Sequence, residues 1–138
     1  MLKALSVAAV MFSGCISASS AEAARIHFFR GSGFWGHGVR ASVYVDEALI
    51  AKMPGNTFAI LRLAPGFHVF RGVNKMEAVR LNLAPGNDYY MKVVIVEGTS
   101  RQFLQETTAQ EAKPIISKLK PLDRKYLVQY LRQGRADE

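Results

Sequence analysis

Cysteine is all but missing from this chain: Cys15 is the only one in 138 residues. One thiol near the N-terminus excludes a disulfide framework and a thiolate metal cluster in the folded part. Long apolar runs are missing too. The most apolar stretch, Ala4 to Phe12, has roughly nine residues where a bilayer-spanning helix needs about 20, which excludes a permanent helical span there. Acidic residues are outnumbered, 11 Asp+Glu against 18 Lys+Arg. No serine sits in a nucleophile elbow, and neither an H-R-D loop nor a D-F-G sequence occurs, so no serine hydrolase or kinase signature is present. His27, His37 and His68 have no Cys, Asp or Glu at ligand spacing, and neither a metal nor another cofactor is expected.

What remains is enough to fold. Hydrophobic residues make up 49% and charged residues 21%, which is too apolar for wholesale disorder and sufficient for one compact domain at this length.

Residues 1–14 read as a signal peptide, with Lys3 as the only charge ahead of the apolar stretch. Phe12-Ser13-Gly14-Cys15 resembles the lipobox of bacterial lipoproteins, in which the cysteine thiol is acylated and its amine becomes the new N-terminus. The resemblance implies lipid attachment at Cys15, and Ile16 in place of Asp after it implies sorting to the outer membrane, facing the periplasm. The competing reading is ordinary cleavage at Ala21-Glu22-Ala23, giving a soluble periplasmic or secreted protein, and an uncleaved anchor is the third. On the lipoprotein reading residues 15–24, rich in Ser and Ala, form a flexible tether. Removing residues 1–14 leaves 17 basic against 11 acidic residues, a net charge of +6. For an exported domain that basicity points to anionic lipid or acidic envelope polymer. Nucleic acid is not expected, since no aromatic stacking pattern accompanies the charge.

Residues 25–106 alternate with period two, the mark of strands with one buried face. Val39, Ala41, Val43 and Val45 alternate with polar or amphipathic neighbours, as do Val79, Leu81 and Leu83. Phe58 and Ile60 alternate with Thr57, Ala59 and Leu61. Tyr89, Met91, Val93 and Ile95 share one face of a longer strand that is apolar on both faces near its end, which predicts a central position. Pro54-Gly55, Pro65-Gly66 and Pro85-Gly86 predict type II turns with glycine at positive φ. The phrase Leu61-Arg62-Leu63-Ala64-Pro65-Gly66 returns as Leu81-Asn82-Leu83-Ala84-Pro85-Gly86, 20 residues later, and reads as one hairpin solution used twice. The fold class expected is mainly β: an antiparallel β-sandwich of about seven to eight strands with one or two short C-terminal helices.

Residues 107–138 turn helical in pattern and are expected to pack on or flank the sandwich. Thr108 and Glu111 have capping-box spacing, but Pro114 argues for a helix from Pro114 to Leu119 instead. A second helix is expected from Pro121 to Gly134, with Leu122, Tyr126, Leu127, Tyr130 and Leu131 on one side and Arg124, Lys125 and Arg132 on the other.

Val43-Tyr44-Val45-Asp46, then Thr57-Phe58-Ala59-Ile60-Leu61-Arg62-Leu63-Ala64-Pro65-Gly66-Phe67-His68, then Leu81, Leu83 and Gly86 leading to Tyr89-Tyr90-Met91-Lys92-Val93, together resemble the bacterial lipoprotein family carrying the domain of unknown function numbered 2846. The likeness covers residues 25–119 and implies a small β-sandwich; it implies no chemistry. The basic segment after Pro121 departs from it.

Among candidate functional residues, Gly31-Ser32-Gly33-Phe34-Trp35-Gly36 matches G-x-G-x-x-G, but a strand pattern follows it where a dinucleotide site needs a helix. Phe34 and Trp35 pack at the edge of the core or form a contact patch for a lipid surface, glycan or partner. Tyr89 is expected in the core with its hydroxyl bonded to backbone, and Tyr90, on the opposite face, as a surface contact aromatic. Seven Lys/Arg between Lys113 and Arg135, with Arg124, Lys125 and Arg132 among them, either solvate a packed helix or attract an anionic surface. The function expected is a non-enzymatic, lipid-anchored envelope module that binds a periplasmic partner or anionic surface. Two alternatives stand beside it: a small periplasmic hydrolase using Asp46, His68 and similar residues, and a structural subunit assembling through a strand edge.

Overall fold

The computed structural model describes residues 22–31, 40–96, 99 and 101–127. Cys15, Phe34, Trp35, His37 and Arg132, and the expected cleavage site at Ala21, lie outside them. The strands are β1 (Ala24–Arg30), β2 (Ala41–Val45), β3 (Ala48–Met53), β4 (Thr57–Leu63), β5 (Gly66–Arg71), β6 (Val79–Leu83), β7 (Asp88–Ile95) and β8 (Gln102–Thr107). Helix α1 (Ala109–Ile116), a two-residue strand β9 (Lys120–Pro121) and a 3-10 turn at Arg124–Tyr126 follow. They form the expected mainly β sandwich, with a five-stranded sheet ordered β8-β7-β1-β4-β9 facing a four-stranded sheet ordered β3-β2-β5-β6. Two pairings in the larger sheet, β1 with β7 and β4 with β9, are parallel.

The period-two pattern places the core. Ala41, Val43 and Val45 of β2 are buried while Ser42 and Tyr44 between them are half-buried. Opposite them lie Ala24, Ile26 and Phe28 of β1 and Met91 and Val93 of β7. Phe28 from one sheet meets Phe70 from the other, ring centroids 6.1 Å apart, and both are fully buried. β7 lies between β8 and β1, the interior position its two apolar faces predict.

The outer face of the larger sheet is covered by α1. Phe29, Tyr90 and Ala112 form a second buried cluster, with Phe58, Ala109, Ile116 and Leu119 packed on it. This corrects the helix expected over Pro114–Leu119: α1 begins five residues earlier, where the Thr108 hydroxyl accepts the Glu111 N–H at 3.2 Å. Pro114 forfeits only its own ladder bond, a small loss in a two-turn helix docked through Ala112.

The second helix expected from Pro121 is corrected over its described part. Lys120 and Leu122 donate backbone N–H groups to Asn56 and Phe58 at 3.0 and 2.8 Å, extending the sheet at the open edge of β4. Pro121 sits between these two donors, where an edge strand needs no N–H. Tertiary ladder bonds outweigh the local helical pattern, and the chain continues through the 3-10 turn to an isolated bridge between Leu127 and Ala51. The sandwich begins ahead of residue 25, the start expected from the sequence: the Glu22 carbonyl accepts Gly86 N–H at 3.3 Å and Ala24 is buried.

The repeated Leu-x-Leu-Ala-Pro-Gly phrase is not a hairpin in either copy. Each carries the chain between sheets, from β4 to β5 and from β6 to β7, with Gly66 and Gly86 at φ 121° and 73°. At Pro54-Gly55-Asn56 the positive φ falls on Asn56, at 63°, instead of Gly55, a left-handed position asparagine tolerates.

Candidate functional site

The β2–β3 hairpin turns on two residues, Asp46 and Glu47, with φ of 50° and 69°. A two-residue turn that follows the strand twist needs such values, and glycine or asparagine usually supplies them. Here both positions carry carboxylates, and both are held by β5. Asp46 Oδ1 accepts Val69 N–H at 2.9 Å, and Oδ2 lies 2.6 Å from His68 Nδ1. Burial works to raise the Asp46 pKa, but the Val69 N–H and His68 together hold it below the ordinary value. Glu47 accepts from Arg71 Nε and Nη2 at 3.2 and 3.1 Å, and those bonds hold its carboxyl low. The buried Arg71 guanidinium lies 4.0 Å from the Tyr44 ring centroid and donates to the Gly72 carbonyl at 2.8 Å.

Asp46 and His68, the residues named for a hydrolase, do meet. Their geometry is that of a lock. His68 Nε2, the nitrogen a general base would turn to a nucleophile, lies 2.8 Å from the Ala64 carbonyl oxygen, so both ring nitrogens are engaged in closing the turn. Among the described residues no group of three or more His, Cys, Asp or Glu comes together to hold a metal ion.

Arg124 and Lys125 are exposed on the 3-10 turn, which Asp123 caps by accepting Lys125 N–H at 3.1 Å. Lys125 Nζ lies 5.2 Å from the Tyr126 ring centroid, and Arg40 Cζ lies 4.9 Å from the same centroid. Two cations on one half-buried ring, with exposed Lys120 just upstream, make a concentrated basic patch where β2 begins and the C-terminal segment crosses β3. Sequence reasoning missed Arg40, which lies far from Tyr126 along the chain and is brought to it by the Leu127–Ala51 bridge.

Tyr90 is corrected. It is 7% exposed, sealed beneath α1 and stacked on His27 with centroids 4.5 Å apart, because strand β7 turns it to the face the helix covers. Tyr89 behaves as expected, its hydroxyl accepting Ala84 N–H at 2.8 Å. On that covered face Asp88 Oδ1 receives Arg25 Nε at 2.8 Å and lies 2.8 Å from His27 Nε2, which holds the Asp88 carboxyl far below the carboxylate range.

No helix among the described residues is long and apolar enough to cross a membrane. Compared with protein-family models, curated proteins and solved structures, the chain matches none.

Proposed function

We propose that this chain is a non-enzymatic, lipid-anchored module of a bacterial envelope, of the kind that the resemblance to the domain of unknown function 2846 family implies. Acyl chains on Cys15 tether it, and the basic patch around Tyr126 lies on an anionic surface. The observation that carries this reading is the convergence of Arg40 and Lys125 on one ring, beside exposed Lys120 and Arg124. Each basic residue held near an anionic bilayer adds about 1 kcal/mol, and the acyl chains hold the domain beside the bilayer, where the patch meets it at high effective concentration. Anchor and patch therefore complement each other.

The distances allow both to act on one bilayer. β1 carries the chain through seven residues from Ala24 to Arg30, about 20 Å at strand rise, from the tether end toward the patch end. The stretch from Cys15 to Glu22 spans at most about 25 Å when extended, enough for the sandwich to lie on its side. The engaged Nε2 of His68 weighs against the hydrolase alternative.

The test is membrane fractionation and intact mass of the full chain beside Cys15→Ala, followed by flotation of the unacylated form with vesicles containing phosphatidylglycerol. Diacylglycerol mass on the wild type, lost in Cys15→Ala, supports the anchor. Salt-sensitive flotation that falls in Arg40→Ala/Lys125→Ala supports the patch. A soluble wild type beginning near Arg25, or flotation indifferent to these residues, overturns the corresponding half.

A further inference from the structure

The sheet margins are not equally closed. At the β4 edge, β9 supplies the Lys120 and Leu122 N–H donors. β3 is bridged at Ala51 by Leu127, and on β8 the Gln102 carbonyl accepts Asn74 N–H at 3.4 Å. β6 pairs with β5 on one side and, among the described residues, with nothing on the other.

The direction of its free groups follows from β5. Val69 turns both backbone groups toward β2: its carbonyl accepts Asp46 N–H at 2.8 Å, and its N–H donates to the Asp46 carboxylate. In an antiparallel pair such groups alternate, so the neighbours of Val69 bond β6 through Val79, Leu81 and Leu83. Arg80 and Asn82 then point their N–H and C=O groups outward, with no partner among the described residues.

We propose that this edge pairs antiparallel with β6 of a second copy, about a twofold axis through Leu81, joining two four-stranded sheets into one. The register is self-complementary. Arg80 falls opposite Asn82 of the second copy, and each such pair exchanges both N–H···O bonds because both residues present outward groups. Centring the axis on Arg80 instead sets arginine against arginine, a repulsive cross-strand pair. On the inner face Leu81 meets its own symmetry mate, and half-buried Val79 meets Leu83. On the outer face the row runs from Phe67, which is 79% exposed and paired with Asn82, to the incoming Arg80. Two strand spacings, about 9.6 Å, separate them, a gap an arginine laid flat spans to reach the ring. The edge carries no proline and no lysine to deter pairing. With one short strand contributed by each copy, the dimer is weak and forms at high local concentration, as on a membrane.

Sedimentation of the purified, unacylated protein from micromolar to millimolar concentration tests this, with amide exchange read at Arg80 and Asn82. Asn82→Asp faces each Arg80 with a carboxylate and tightens the dimer about fivefold, whereas Asn82→Arg loosens it. Arg80→Pro removes an outward N–H that the fold does not use and abolishes the dimer while leaving the monomer folded. Exchange at both amides slows as concentration rises. A monomer at every concentration in both wild type and Asn82→Asp overturns the proposal. So does a dimer unmoved by Asn82→Asp and Arg80→Pro, which pairs elsewhere.

Discussion

His68 and Asp46, 22 residues apart in the chain, meet at 2.6 Å across the β2–β5 boundary, and the contact holds a hairpin turn in a conformation that non-glycine residues avoid. Asp46 sits at φ 50° because its carboxylate also takes the Val69 N–H. The energy of those bonds offsets the strain of the turn. Asp46→Ala keeps the strain and loses both bonds, and is expected to lower unfolding free energy by about 1–2 kcal/mol in a urea titration. Asp46→Asn keeps an acceptor and tolerates positive φ, so it costs less.

Gly72 is held for a different reason. A Cβ there would meet the Gln102 carbonyl oxygen at 2.6 Å and its carbon at 2.9 Å, and both belong to backbone in the other sheet. Gly72→Ala is expected to cost about 1–3 kcal/mol by overpacking, seen as a lower denaturation midpoint with an unchanged slope.

Phe70 and Phe67 share a strand and differ in environment, 0% against 79% exposed. Phe70→Ala opens a cavity between the sheets against Phe28 and is expected to cost about 3–5 kcal/mol. Phe67→Ala is expected within about 0.5 kcal/mol of wild type in dilute solution. Equal losses would place Phe67 in the core.

Asp88 is held low first by the hydrogen bond from Arg25 and then by that from His27, with burial opposing. Asp46, Glu47 and Glu77 are also depressed. A carboxylate whose folded pKa lies below its unfolded value stabilises the fold above the unfolded value, and that contribution is lost as pH falls toward the folded one. Stability is therefore expected to hold at neutral pH and to decline as pH drops below about 4. Asp88→Asn flattens that decline, measured as the midpoint of thermal unfolding against pH.

Legibility varied by element. Strand existence was plain from alternation, since Val43 and Val45 or Met91 and Val93 face one core at period two. Tyr89 was readable from local chemistry, whereas the Thr108 capping spacing was outweighed in the reading by Pro114, a residue that docking through Ala112 lets the helix tolerate. The destination of each strand was not. Leu61-Arg62-Leu63-Ala64-Pro65-Gly66 suits a hairpin or a crossing between sheets, because the turn bends the chain without choosing the next partner. Tyr90 shows the same gap: its strand face was legible, but the helix that covers that face arrives from Ala109–Ile116, outside any local window.

The sequence by itself determined what local sterics and periodicity control: a mainly β chain, its turn positions, a basic balance and a single N-terminal thiol. Tertiary structure alone decided which acceptors met which donors. Pro121 became part of an edge strand because β4 offered carbonyls there, Arg40 joined Lys125 because Leu127 bridges Ala51, and among the described residues no later segment pairs with the outer edge of β6. Each of these depends on contacts between residues distant in sequence, whose free energy is realised only once the two sheets have closed on their core.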